Sequence, residues 1–222
     1  MNRLHVVQNE VTYKGAFSAP LFGLWGSGAP LLEALYTSFS PFGISLANIR
    51  SEELSKSPTD QSIVVQSENW IYRWRIERVE LTLSNFNDED LRFLPKLLNA
   101  NDDWMKKMGV PIEYSFHQFS YAGHLSIEEG TSQQVLERLP HLRLGDGQEL
   151  RAAGQILHWS DSTRGWQGDL VVDHSQVVSD GLFLLYSGVA KTSKLDYDNL
   201  VSYLQERLDI LLSQFGLRLE GL

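Results

Sequence analysis

The chain has 222 residues, with 28 Asp and Glu against 19 Lys and Arg, and it contains no cysteine. The absence of cysteine excludes disulfide scaffolds, zinc ribbons, iron–sulfur clusters and thiol nucleophiles. Because 42% of the residues are hydrophobic and 11% are aromatic, folding can bury enough apolar surface to offset the chain entropy, which excludes a disordered protein. A formal net charge of −9 argues against a general nucleic-acid or anionic-membrane binder.

The sequence contains no recognisable targeting segment or membrane span. Its first ten residues lack a long apolar run, and the most apolar segment, Leu182–Tyr186, is far shorter than the roughly 20 residues that cross a bilayer. We therefore expect a cytoplasmic protein. No linker or repeat divides the chain, so we expect one α+β domain over residues 1–222, in which the polar segment 48–61 is a flexible surface loop.

The first predicted elements are a helix and two strands. Pro30 suits the first turn of a helix, and Pro41 ends it. Residues 62–67 and 70–83 have the composition of strands, and Glu68–Asn69 between them fits a tight turn.

A second helical region follows, and then a long strand and a short helix. Asn87 is a good N-cap, and Pro95 should kink the helix or restart it as a second one. Residues 112–127 read as another long strand. Thr131 opens a short helix with the spacing of a capping box, and Pro140 ends that helix.

The C-terminal third predicts three strands and a long last helix. The strands cover 154–159, 166–174 and 181–190, and short connections between consecutive strands favour antiparallel pairing. Asp196 can cap the last helix. The apolar stripe of this helix contains Leu200, Leu204, Leu208, Leu211 and Phe215.

Both long predicted strands change their apolar face about halfway along. In 70–83 the apolar residues occupy even positions up to Ile76 and odd positions from Val79, and in 112–127 the same change follows Phe116. Because side chains alternate with a period of two, this change needs a bulge, a passage between two packing environments, or a break into shorter strands. We expect a bent, mainly antiparallel sheet of about six strands with helices packed on one side.

The histidines and aspartates of the C-terminal third are the candidates for a chemical site. His158 and His174 lie on neighbouring predicted strands with Asp169 and Asp173 nearby, a combination that can form a metal or acid–base site. Against this, their spacing matches no ligand motif. The aspartates also alternate with apolar residues, as on a half-exposed strand. We therefore expect no metal, no cofactor and no catalytic residue.

Arginines and aromatic residues alternate on one predicted strand. Arg and Trp are enriched at binding hot spots. Glu77 and Glu80 dilute this positive charge and can pair with the arginines inside the sheet, which would be an ordinary structural role. If the protein has a binding surface, we expect it here, with the candidate residues Trp70, Tyr72, Arg73, Trp74, Arg75 and Arg78.

The segment 119–127, FSYAGHLSI, followed by a capped short helix, resembles a strand of the SecB-type export chaperones. The resemblance covers about twenty residues, and the three further strands before the last helix depart from that pattern. It implies an acidic antiparallel α+β protein that forms tetramers and binds unfolded polypeptides.

Three functions from different classes fit these features. The missing catalytic motifs and the Trp-rich segments favour a non-catalytic interaction protein, a subunit or adaptor of a larger assembly that binds a protein partner or itself. The alternative is a SecB-like polypeptide-binding chaperone or small-ligand carrier that uses the concave side of the sheet. The third, least favoured, is an enzyme whose site combines His158, His174 and Asp173.

Overall fold

One ten-stranded sheet organises the protein, which a computed structural model describes over residues 2–24, 28–53, 61–136 and 154–220. Five α-helices and three short 3-10 helices accompany the strands in these residues. In chain order the elements are β1 Asn2–Phe17, α1 Gly28–Phe39, β2 Ile49–Glu53, β3 Gln61–Gln66, β4 Trp70–Trp74, β5 Arg78–Ser84, α2 Asp88–Leu91, α3 Leu94–Lys107, β6 Tyr114–Ile127, α4 Ser132–Leu136, β7 Gln155–Asp161, β8 Trp166–His174, β9 Leu182–Ala190, α5 Tyr197–Ser213 and β10 Leu217–Glu220.

The strands follow the order β2-β3-β4-β5-β1-β6-β9-β8-β7 across the sheet. Neighbours along this path are antiparallel, and β10 pairs in parallel with the beginning of β1. The predicted mixed α and β protein with a large antiparallel sheet is therefore confirmed. The expected number of about six strands is wrong, because β1, β2 and β10 were missed and the segment 70–83 is two strands.

The two changes of apolar face have different causes. Residues 70–83 form a hairpin, in which Tyr72 lies opposite Leu81 and both side chains lie on the same face. Here the chain breaks into two shorter strands, one of the alternatives that the pattern allowed. In β6 the pairing with β1 shifts register at Ser115, so that Tyr114 and His117 both lie on the buried face. That shift is a β-bulge.

The helices begin at the capping residues that the sequence indicates. Asn87 accepts hydrogen bonds from the backbone of Glu89 and Asp90 at the start of α2, and α3 then begins anew with Pro95 in its first turn. Asp196 caps α5, which spans 17 residues against 14 for α3. Its length therefore does not set the C-terminal helix apart from the others.

Two predicted features, the loop 48–61 and the end of the short helix at Pro140, include residues that the structure does not describe. In the predicted loop 48–61, residues 49–53 instead form β2, and 54–60 lie outside the described residues. The end of the short helix at Pro140 lies outside them as well. The start of that helix is described, and Thr131 and Gln134 exchange the two hydrogen bonds of a capping box.

The side chains that point from the sheet toward α1, α3 and α5 form what we call the inner face. Ring contacts and hydrogen bonds join this face to the helices, for example Tyr72 to Phe39 of α1 and Tyr13 to Tyr197 of α5. The opposite side chains of the same strands form the outer face. Every ring contact or hydrogen bond recorded between a described helix and the sheet involves the inner face.

Candidate functional site

The six residues of the predicted binding strand lie on two opposite faces of the hairpin. Tyr72 and Trp74 are at most 1% exposed on the inner face, where their rings stack with centroids 4.8 Å apart. Trp70, on the same face, is only half-buried. The three arginines belong to the outer face or the hairpin turn, so the set is not one continuous surface.

Ion pairs hold the outer-face arginines of the hairpin. Arg73 lies 3.4 Å from Glu52 of β2, and Arg78 lies 3.0 Å from Glu80. Glu52 also pairs with Arg50 at 2.9 Å, and the hydrogen bond from Arg50 lowers the pKa of the Glu52 carboxyl. The expected partners Glu77 and Glu80 do not pair with these arginines across strands, because Arg78 and Glu80 lie on the same strand β5 and Arg73 pairs with Glu52. Their role in binding stays a prediction.

A buried chain of polar side chains crosses the core between the sheet and α3. Trp74 Nε1 donates to Asn101 Oδ1 at 2.7 Å, and Asn101 Nδ2 donates to Asp102 Oδ1 at 2.9 Å. Tyr114 of β6 donates to the same Asp102 oxygen at 2.8 Å. Burial raises the pKa of the Asp102 carboxyl, and the hydrogen bonds from Tyr114 and Asn101 oppose that effect.

A second buried group, centred on His117, lies next to this chain. The His117 side chain is fully buried, and its Nδ1 lies 2.7 Å from the hydroxyl of Tyr13, which in turn lies 3.2 Å from the hydroxyl of Tyr197. Burial lowers the pKa of His117 to about 4, against a smaller opposing effect of the Thr192 backbone. The imidazole is therefore neutral at physiological pH.

These two groups fix helices to the sheet. Trp74 and Tyr114 of the sheet form hydrogen bonds with α3, and Tyr13 forms one with α5. The other bonds lie within α3 or within the sheet, and the hydroxyls and rings are enclosed by aromatic residues. Sequence reasoning missed both groups. One signal was present, because Asn101 stands at a stripe position of α3 that is otherwise apolar, which marks a buried polar residue with partners.

The histidines and aspartates proposed for an enzyme are not brought together. His158 and Asp169 form a pair of 2.6 Å on the outer face, where the His158 side chain is 83% exposed. Asp173 shares that face, because it is four positions from Asp169 along β8. His174 points the other way and contacts Ser132 of α4. Among the described residues, no group of three or more His, Asp or Glu side chains is placed to hold a metal ion.

The outer face carries a row of apolar side chains near one edge of the sheet. The strand register places Ala122 of β6, Leu185 of β9, Val171 of β8 and Ile156 of β7 side by side. Ile156 is 59% exposed, and the other three are half-buried. We call these four residues the apolar row.

Comparison with protein families and curated proteins finds no relative of this chain. No protein-family model matches the chain, and no curated protein is similar to it at a significant level. In the part of the chain that the structure describes, no helix is long and apolar enough to cross a membrane.

Proposed function

We propose that this protein is a non-catalytic interaction subunit or adaptor, and that it binds its protein partner, or a second copy of itself, through the outer face of the sheet. The observation that supports this most is the apolar row. Its members lie on four adjacent strands of the sheet, opposite the face that the helices cover.

The apolar row has the chemistry of an interface core. It contains no charged side chain, and charged residues are depleted at the centre of protein interfaces. Phe183 of β9 lies next to Leu185 on the same face and extends the apolar area along the strand, whereas Ser187 separates Val189 from it. His158, Asp169 and Asp173 border this area and supply a polar rim.

The geometry favours this function over the enzyme. An acid–base or metal site needs its groups within hydrogen-bonding or ligand distance, and His158 and His174 lie on opposite faces of the sheet. The buried His117 is enclosed by Tyr13, Tyr114 and Tyr197, so its environment is that of a structural residue.

The geometry also favours an interaction subunit over a carrier. The helices cover the inner face of the sheet, so this face offers no open surface to a SecB-like chaperone or carrier. An apolar crevice between α5 and the inner face, beside Tyr121 and Leu204, encloses about 20 Å³. That volume has room for about one water molecule, not for an organic ligand.

Sedimentation velocity and affinity capture test the proposal together. The wild-type chain is expected to sediment as a stable oligomer, or a tagged chain is expected to capture a stoichiometric partner. Ile156→Arg changes the most exposed side chain of the apolar row, on the edge strand β7, and should abolish the association. Thr82→Arg places the same charge on the outer face of β5 and serves as the matched control, which should leave association unchanged.

Two results would overturn the proposal. One is a wild-type chain that stays monomeric at high concentration and captures no stoichiometric partner. The other is an association that Ile156→Arg leaves intact, since an unpaired arginine buried in an interface should cost at least about 2 kcal/mol.

A further inference from the structure

A groove with aromatic walls and an acidic rim lies at the end of the β4–β5 hairpin, on the helix side of the sheet. It encloses about 350 Å³. Its aromatic residues are Phe42, Trp70 and Phe93, and its charged residues are Glu68 and Asp90. Among the described residues that line it, none is a lysine or an arginine.

Core packing fixes the aromatic walls. The ring of the fully buried Phe39 lies 6.1 Å from that of Trp70 and 6.2 Å from that of Phe42, centroid to centroid. Phe93 stands at the N-terminal end of α3 and is 47% exposed. Trp70 and Phe42 are half-buried, so each presents part of its ring to the groove.

The aromatic surface already attracts a cation of the same chain. Lys96 places its ammonium 5.1 Å from the centroid of the Phe93 ring. This distance is within the range of a cation–π contact, which is strongest on tryptophan. The Trp70 ring therefore offers a better cation-binding face than Phe93, and no cation of the described residues is recorded over it.

The acidic rim is available for a positive charge. Glu68 is exposed in the turn before β4 and forms no ion pair with any residue that the structure describes. Asp90 uses Oδ2 to accept the backbone N–H of Asn87, and its side chain also borders the groove. The groove thus combines a flat aromatic surface with carboxylates at its edge.

We propose that this groove binds an arginine side chain presented by a partner polypeptide. A guanidinium group is planar, stacks on an indole ring and donates two parallel hydrogen bonds to a carboxylate, which matches Trp70 and Glu68. The ammonium group of lysine is not planar and cannot donate two parallel hydrogen bonds in this way, so we expect arginine rather than lysine. The site is separate from the apolar row on the outer face, so it would be a second contact that recognises charge.

The site can be tested with N-acetyl-arginine amide by following ¹H–¹⁵N NMR spectra of the full chain. Its neutral counterpart is N-acetyl-citrulline amide, which keeps the shape of the side chain and lacks the charge. We expect the arginine probe to shift the Trp70 indole N–H and the backbone N–H groups of Glu68 and Asn69, with a Kd of about 1–10 mM for a single side chain. The citrulline probe should bind at least about fivefold more weakly.

Two variants separate the walls of the groove from its rim. Glu68→Gln removes an exposed charge and should weaken arginine binding about three- to fivefold. Glu77→Gln removes another exposed glutamate, in the turn between β4 and β5, and is the matched control, with no expected change. Trp70→Leu should weaken binding further, and its folding is checked independently by the unchanged dispersion of the NMR spectrum.

Several outcomes would overturn this proposal. They are equal binding of arginine and citrulline probes, no shift at Trp70 with about 20 mM probe, and identical affinity of Glu68→Gln and Glu77→Gln. Binding of the arginine probe does not depend on the apolar row, so the Ile156→Arg variant should bind the probe as the wild type does. Failure of one site therefore leaves the other testable.

Discussion

The buried His117 should make the stability of the protein depend on pH between about 7 and 4. The group has an ordinary pKa of 6.5, which applies to the unfolded chain, and burial lowers its pKa to about 4 in the folded protein. Below pH 6.5 the unfolded state therefore binds more protons than the folded state does. The contribution of the neutral His117 to the free energy of unfolding is fully present above about pH 7, and it decreases as the pH falls toward 4.

The size of this effect follows from the two pKa values. Their difference of about 2.5 corresponds to about 3 kcal/mol, since one pKa unit is worth about 1.4 kcal/mol. Between pH 7 and pH 4.5, where the folded protein begins to take up the proton, about 2 kcal/mol of this should be lost. Tyr13, Tyr114 and Tyr197 surround the imidazole and remain neutral in this range, because burial raises the pKa of each.

Urea unfolding at a series of pH values, followed by tryptophan fluorescence, measures the effect. His117→Asn is the comparison, because an asparagine oxygen can replace Nδ1 as the partner of Tyr13 and does not titrate. Other groups, such as Asp102, whose pKa is raised, contribute equally to both proteins. We expect the wild type to lose about 2 kcal/mol more than the variant between pH 7 and 4.5. If the free energy of unfolding depends on pH in the same way for the wild type and for His117→Asn, the reasoning is refuted.

Three further substitutions test the packing by urea unfolding at pH 7. Gly168→Ala would place a Cβ 1.9 Å from the Ser187 carbonyl oxygen, so we expect a loss of more than about 3 kcal/mol, and a loss below about 0.5 kcal/mol would contradict that close approach. Asn101→Ala leaves Trp74 Nε1 buried without its acceptor and should cost about 2 kcal/mol, whereas wild-type stability would show that another acceptor replaces it. Asp196→Ala removes the N-cap of α5 and should cost about 1 kcal/mol, unless the helix begins elsewhere.

Elements with a clean pattern and clear ends could be predicted from the sequence. The strand over 166–174 matches β8 residue for residue, because apolar residues alternate along it and turns bound it. Asn87 and Asp196 were placed correctly as caps, since capping is a local interaction. The restart of the helix at Pro95 is local as well.

The elements that were missed depend on distant partners. The first half of β1 is polar, and its pairing with β6 shifts register between Val6 and Gln8, so no regular alternation marks it as a strand. The short strands β2 and β10 are held by pairing with β3 and β1. Such pairing over long separations leaves only a weak local signal.

For the candidate binding strand, the sequence predicted which side chains share a face but not which face is buried. Alternation alone put Trp70, Tyr72 and Trp74 on one face and Arg73 on the other. Which face is buried depends on where α1 and α3 pack, and the sequence does not state that. The aromatic half therefore belongs mostly to the core, and only Trp70 remains accessible, at the groove.

The position of β1 sets the order in which the molecule can assemble. This strand leaves the ribosome before every strand that it pairs with, yet it lies inside the sheet, and its neighbours are residues 78–84, 114–127 and 217–220. Asn2 pairs with Leu217, which is synthesised more than 200 residues later, so the pairing of Asn2 is complete only then. Contacts of such separation slow folding and leave unpaired strand edges during synthesis. The nascent chain should therefore depend on protection from aggregation until β10 has been made.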